Sequence, residues 1–369
     1  MKIPVIITVA VMVVLALQRG YTQAKTAVPA PEWNQLFENK DGWIGADFTG
    51  SLPLPGAQKG EKRRTLWLFD DTIYGKIKDG KRYDAHMPRN SVAILYGDKP
   101  DPAKIQYYFN GTGKESSSYL VPPDGKGWFW FGGAFTHGKT LTLLLHQFEN
   151  AGEGAFGFKL TGFWLAQTDN IADSPDHWKF KFTQLPFEDQ TEGKSRFFGI
   201  AALVEGEQVY ITGISEDRKN GGMRRNLLMA QVPIAAISDP ASWRFYSDGR
   251  LVQDWKAATS LCGEDLGTEM SLTRTKQGVE LVYSPCDLSP DIRHRTAPSP
   301  TGPWSKAVTV YRAPEGSRPD VFCYAGKAHA EFSTPDSLLI SYASNSFKGL
   351  GPVMDDATLY VPRFIHLRR

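Results

Sequence analysis

The sequence predicts an all-β chain folded as a five-bladed β-propeller, and three observations predict it. Hairpins of one style recur along the chain, at spacings of 62 to 86 residues when aligned on Asp47, Gly133, Ala201, Ser271 and Ser333. A second signature follows three of these hairpins: a strand, a Pro-containing bend and a Trp, as in Leu228-Met229-Ala230-Gln231, Ile237-Ser238-Asp239-Pro240 and Trp243. Composition agrees, since 35 Gly, 24 Pro and 12% aromatic residues suit many short strands joined by turns. Repeats of this kind mark arrays in which each unit buries its faces only against its neighbours. Two stacked β-sandwich domains are the competing architecture, and they would not require the repeat.

The chain opens on Met1-Lys2, runs apolar from Val5 to Leu17 and reaches Thr22-Gln23-Ala24. One charge, a short apolar core and a small-residue exit describe a secretory signal peptide over residues 1–24. A spanning helix needs about 20 apolar residues, so an uncleaved anchor fits less well. Residues 25–369 are then expected to form one domain, secreted or periplasmic, with no stable membrane insertion once the leader is removed. Basic and acidic residues number 42 and 40, a balance that gives no electrostatic case for nucleic acid.

The first unit is an acidic hairpin: one strand leaves Asp47 for Leu54, and a second runs from Thr65 to Asp71 as Leu/Trp/Leu/Phe alternation. The intervening loop, 56–64, is polar. Folding there sets Asp47 opposite Asp70-Asp71, and carboxylates so close cannot all ionise freely. As a plain alternative, the two acids could merely end a strand and fix its turn. The second unit pairs 128–134 with 140–145, the third 197–204 with 208–212, the fourth 268–273 with 279–284, and the fifth 329–333 with 337–342. The fifth has a third strand at Thr358–His366 and then ends. Residues near Trp33-Asn34-Gln35-Leu36-Phe37 are expected to supply its outer strand and close the ring, removing two open edges.

In a propeller the first strands of all units line the axis and run the same way, so their starts converge at one mouth. Asp47, Glu269 and Glu331 take equivalent positions there, and Asp71 joins by cross-strand pairing. Gly132-Gly133 and Gly199 would leave space beside them. Acids around such a well suit a glycosidase, which needs one protonated carboxyl and one carboxylate. Trp128, Trp130, Phe197 and Phe198 offer faces for a sugar, although alternating aromatics more often belong to a core.

Gly45-Ala46-Asp47, Leu66-Trp67-Leu68-Phe69-Asp70-Asp71-Thr72, Arg89-Asn90-Ser91, the segment Ala297 to Trp304 and His329-Ala330-Glu331-Phe332-Ser333 together resemble a bacterial family once described as a domain of unknown function. That family includes endo-D-arabinanases and is similar to the wider five-bladed-propeller glycosidases. The resemblance spans roughly residues 40–366. It implies an exported glycoside hydrolase acting on a furanose-containing, D-arabinan-like polysaccharide, with Asp47 and Asp71 as the catalytic pair. The chain departs from the family in carrying Asp70 where Gly is usual and in its longer hairpin loop, so a shifted register would make Asp70 the working acid.

Glu331 is a further catalytic candidate. Asp70, Arg89, Asn90, Glu269 and His329 are candidates for holding substrate, with His86, His137, His146 and Asn345 behind them. Arg89 could equally serve only to neutralise the acids, and a lone His beside a strand is more often structural. No cofactor and no metal are expected. The axial acids would suit Ca²⁺, but no contiguous ligand run is visible. Cys262, Cys286 and Cys323 match no zinc spacing, and in an exported protein Cys262 with Cys286 is the first choice for a disulfide, against three buried thiols. Asn110-Gly111-Thr112 fits a glycosylation acceptor, meaningful in a eukaryotic host. No nucleophile elbow, phosphate loop or zinc helix motif occurs. The expected partner is a polysaccharide or oligosaccharide substrate, and the expected state a monomer. A propeller that binds carbohydrate or protein without cleaving it is the alternative.

Overall fold

The computed structural model describes residues 27–369 apart from 58, 155, 192 and 219–222. Its sheets are antiparallel meanders that follow one another along the chain. The first contains Gly50–Pro53, Arg64–Phe69, Ser91–Tyr96 and Ile105–Tyr108 in spatial order. A three-stranded sheet of Asp41–Ala46, Thr72–Lys78 and Lys81–His86 is inserted beside it. The second unit runs Trp128–His137, Thr140–Asn150, Phe158–Thr168 and Lys181–Leu185. The third is built on Lys194–Glu205, Gln208–Asp217 and Arg224–Pro233 and grows to seven strands with short edge pieces. Leu266–Thr275, Gly278–Pro285, Asp291–Ala297 and Val308–Arg312 make the fourth. Val321–Ala328, Ser337–Ser346, Arg363–Arg368 and Ala27–Pro29 make the fifth.

The middle strands carry apolar side chains on both faces because both faces are covered. Leu141, Leu143 and Leu145 pack with Leu66, Leu68 and Ile94 of the first sheet. Leu144, one residue out of phase, packs with Val209, Ile211 and Leu228 of the third. The third and fourth sheets share Ile200, Leu227, Met270 and Leu281. The fourth and fifth share Val282, Ile292, Leu338 and Ile340. Leu339 and Phe364 of the fifth sheet meet Trp67, Phe69 and Leu95 of the first. Period-two alternation thus assigns each strand's residues to two different cores.

The N-terminal expectation needs correction. Residues 31–35 form a short helix, Pro31–Gln35, with Pro at its first turn, where a missing N–H costs nothing. Trp33, Leu36 and Phe37 plug the core between the fifth and first sheets rather than pairing. The strand that adds to the C-terminal one is Ala27–Pro29, in register with Ile365–Leu367. The leader expected over residues 1–24 lies outside the described residues.

The fifth unit is also displaced along the sequence. Its inner strand is Val321–Ala328, ahead of the predicted one, and residues 330–332 form a 3-10 turn. A register break recurs in the inner strands of units two to five, at Gly132-Gly133, between Phe198 and Ala202, between Leu266 and Met270, and between Tyr324 and Lys327. Aligned on that break, the counterpart of Glu269 is Ala325-Gly326, not Glu331. The glycines do not open space either. A Cβ on Gly132 would stand 1.9 Å from the Gly199 carbonyl oxygen, so these residues let two inner strands touch.

All three cysteines are free thiols, which corrects the expected Cys262–Cys286 bridge. The Cys286 sulfur faces the carbonyl oxygens of Met223 and Glu264, and Cys323 is sealed in the core between the fourth and fifth sheets.

Candidate active site

Asp47 sits in a bend between the inserted sheet and the first strand of the first unit. Phe48 and Thr49, the next two residues, both have left-handed backbone, φ 65° and 48°. That conformation is costly for a β-branched Thr, and such strain collects at functional sites. The bend aligns the Asp47 backbone with the acidic pair: its N–H donates to the Asp71 carbonyl and its carbonyl accepts from the Asp70 N–H, both at 3.4 Å.

The three carboxyls differ in their surroundings. Asp47 Oδ2 accepts from Tyr324 Oη at 2.7 Å and Tyr360 Oη at 2.9 Å, while its Oδ1 is buried without a partner. Burial, then the charges of Asp71 and Glu269, hold Asp47 well above the usual carboxylate range against the pull of the two tyrosines. Asp70 is buried and accepts from the Phe131 N–H at 2.6 Å. Burial and Asp47 raise it strongly as well. Asp71 is raised by burial, but Arg89 and Trp130 draw it back. Arg89 Nη1 donates to its Oδ2 at 3.1 Å and Trp130 Nε1 to its Oδ1 at 3.0 Å. Arg89 in turn lies over the Trp128 ring, 4.2 Å from its centroid.

Glu269 faces the same well, raised by burial and held back by Lys327 and Arg225. Lys327 is the cation that sequence reasoning missed. The bulge after Tyr324, with Ala325 at φ 57°, turns it inward. Its ammonium lies 3.8 Å from the Phe48 ring centroid and donates to the Met270 carbonyl at 3.2 Å. Burial lowers it to about 8 despite Glu269 and Asp70. Tyr324 and Tyr360 were missed too. Nothing local in the sequence marks them, because each reaches Asp47 across some 300 residues of chain.

Three predicted site residues are placed elsewhere. Glu331 accepts from Ser51 Oγ, and its backbone carbonyl accepts from Arg63 Nη2 at 2.7 Å. It follows the inner strand, in the 3-10 turn Ala330–Phe332, instead of opening it. His329 is fully buried against Trp67 and Phe364, with Nε2 2.8 Å from Ser341 Oγ, and burial pushes it down to about 3. Asn90 spends its carboxamide on backbone, donating to the carbonyls of Leu120 and Phe129 at 2.9 Å and accepting from the Leu120 N–H at 2.7 Å. Among the weaker candidates, His146 is likewise buried, bonded to the Phe198 carbonyl and lowered to about 4. Among the described residues no group of three or more His, Cys, Asp or Glu side chains is placed to hold a metal ion.

An acidic well of this kind loads the fold. Asp47 and Asp70 bind protons more tightly folded than unfolded, so their contribution to stability declines as pH rises from about 4 through their raised values. Asp70→Asn, neutral at every pH, is therefore expected to raise the unfolding midpoint at pH 7 and to flatten its fall above pH 4. Thermal unfolding across pH 4–8 would measure this, and an unchanged slope would contradict the raised acids.

Fold and site define an all-β, propeller-like protein with several carboxyls gathered at one end of its inner strands. Residues 31–369 match the family described as "Domain of unknown function (DUF5005)", and the chain belongs to that family. Among solved structures it is similar to a proposed hydrolase from Bacteroides ovatus, at 16% identity over 94% of this chain and 92% of that one, with a TM-score of 0.74. It is also similar to Zg3597, a family 117 glycoside hydrolase of the marine bacterium Zobellia galactanivorans, at 13% identity, 92% and 90% coverage and a TM-score of 0.53. No curated protein sequence matches the chain. At these identities the likenesses speak to the fold.

Proposed function

We propose that the protein is an exported glycoside hydrolase that cleaves a furanose-containing polysaccharide of the D-arabinan kind, using Asp47 and Asp71. The observation that carries this is the division of labour between two neighbouring carboxyls. Asp71, held by Arg89 and Trp130, is the one whose charge is compensated. Asp47 has two donors on one oxygen and none on the other, in a buried setting where an unpaired negative oxygen would be costly. A proton on Oδ1 removes that cost and leaves the group ready to donate.

In this reading Asp47 gives its proton to the glycosidic oxygen as the carbon–oxygen bond breaks. Asp71 supplies negative charge at the anomeric carbon, by activating water or by direct attack. Asp71 and Glu269 raise Asp47 through their charge, Asp47 in turn raises Asp70, and Lys327 holds Glu269 back. Glu331, His329 and Asn90 act in the scaffold. No step calls on a cofactor. The family 117 relative, a named glycoside hydrolase of similar fold, supports the class of reaction. Five meander sheets, each sharing a core with the next and the last with the first, support a five-bladed ring closed through Ala27–Pro29. Export rests on residues 1–24 of the sequence.

The test is reducing-end release from D-arabinan, L-arabinan, galactofuranan and fructan by the purified mature protein. Release from one of them, abolished in Asp47→Asn and Asp71→Asn, is expected. Turnover of none, or turnover unchanged in both variants, would refute the assignment.

A further inference from the structure

The rim above the acids carries aromatic side chains that no core accounts for. Phe156 is 59% exposed and Phe347 52%, in a chain whose other large rings are mostly buried. Neither stands alone. Phe322 lies between them, its ring centroid 6.1 Å from Phe156 and 4.7 Å from Phe347. Phe322 also packs on Tyr324 at 5.3 Å, and Tyr324 is a donor to Asp47.

The topology gives this contact its meaning. Phe156 belongs to the loop joining Thr140–Asn150 to Phe158–Thr168 in the second sheet, whereas Phe322 lies in Val321–Ala328 of the fifth and Phe347 follows Ser337–Ser346. Among the described residues the second and fifth sheets share no core, so the ring contact bridges two sheets that do not pack on each other. Two residues after Phe156, Phe158 meets Trp130 at 4.7 Å, and Trp130 donates to Asp71. Rings thus run from Asp71 through Trp130 to Phe158, and from Asp47 through Tyr324 and Phe322 to Phe156, with only Gly157 between the two runs in the chain.

We infer that Phe156 and Phe347, backed by the buried Phe322, form a stacking subsite for a sugar ring next to the bond being cleaved, on the Asp47 side. This rests on the hydrolase reading above and adds where the neighbouring sugar lies. Flat, rigid rings present apolar faces at little entropic cost, and the apolar faces of a sugar fit them while its hydroxyls stay in water. A protein partner would find only two exposed rings, Phe156 and Phe347, on this rim.

The experiment uses Phe156→Ala and Phe347→Ala, both exposed and therefore expected to fold as the parent does, with near-UV circular dichroism as the check. On the polysaccharide that the parent cleaves fastest, each should raise KM by about tenfold, the scale of one aromatic contact, with kcat within about twofold. Phe156→Trp should restore KM. Parent-like KM in both alanine variants, with the parent active, would overturn the subsite and leave the hydrolase reading standing. A parent inactive on every polysaccharide in the panel would overturn that reading and the subsite with it.

Discussion

Asp71→Asn is expected to reduce turnover by about 10³-fold or more, with Asp47→Asn reducing it to a similar depth by a different route. General acid–base groups contribute on the order of 10²–10⁴-fold each, and loss of a group acting at the anomeric carbon falls at the upper end. Asn at position 71 no longer balances the charge of Arg89, and its amide offers one acceptor oxygen where Arg89 and Trp130 now bond one carboxylate oxygen each. The distinguishing readout is the pH profile of kcat/KM. The parent should be bell-shaped, with activity gained as Asp71 loses its proton and lost as Asp47 loses its own at higher pH, because Asp47 is the more strongly raised of the two. In Asp47→Asn the residual activity should lose its alkaline limb. Should the alkaline limb persist there and vanish in Asp71→Asn, the two roles are reversed.

The second large effect is expected far from any substrate contact. Gly132→Ala should destabilise the fold by about 3 kcal/mol or more, or prevent folding, because overpacking a closed core costs about 1–3 kcal/mol even where side chains can yield. Here the obstacle is backbone: the new Cβ meets the Gly199 carbonyl oxygen at 1.9 Å, and Gly199 itself, at φ 100°, is held against the Phe163 ring. The inner strands of the second and third sheets would have to separate. Gly138→Ala is the matched control. Its φ of 58° makes the change unfavourable by about 1 kcal/mol, but nothing lies within 4 Å of the added carbon. Urea midpoints of the two variants should differ accordingly. Equal midpoints would mean that the two inner strands are not in contact.

The sheets were legible in the sequence because their signal is local. Leu141, Leu143 and Leu145 alternate with residues that face the other way, and a turn at Gly138 precedes them. Such a pattern reports strand, length and two-sided burial without knowledge of the neighbours. The same locality explains the errors. His329-Ala330-Glu331-Phe332-Ser333 alternates well enough to imitate an inner strand, yet Val321–Ala328 had already filled that place. Trp33, Leu36 and Phe37 carry the apolar content of a strand, but Pro31 starts a helix whose face fills the gap between the first and last sheets.

By itself the sequence determined the all-β class, the repeated units and the proximity of Asp47 to Asp70-Asp71, since each follows from residues near in the chain or from a two-strand turn. Only the tertiary structure decided which acids share the well. Tyr324, Tyr360 and Lys327 come to Asp47 and Glu269 from the far end of the chain, and a bulge with left-handed backbone at Ala325 aims the lysine. Glu331, chosen by pattern, lies with Ser51 and Arg63 instead. The physical reason is that a carboxyl's protonation depends on what surrounds it in space, and one residue of register moves a side chain to another face.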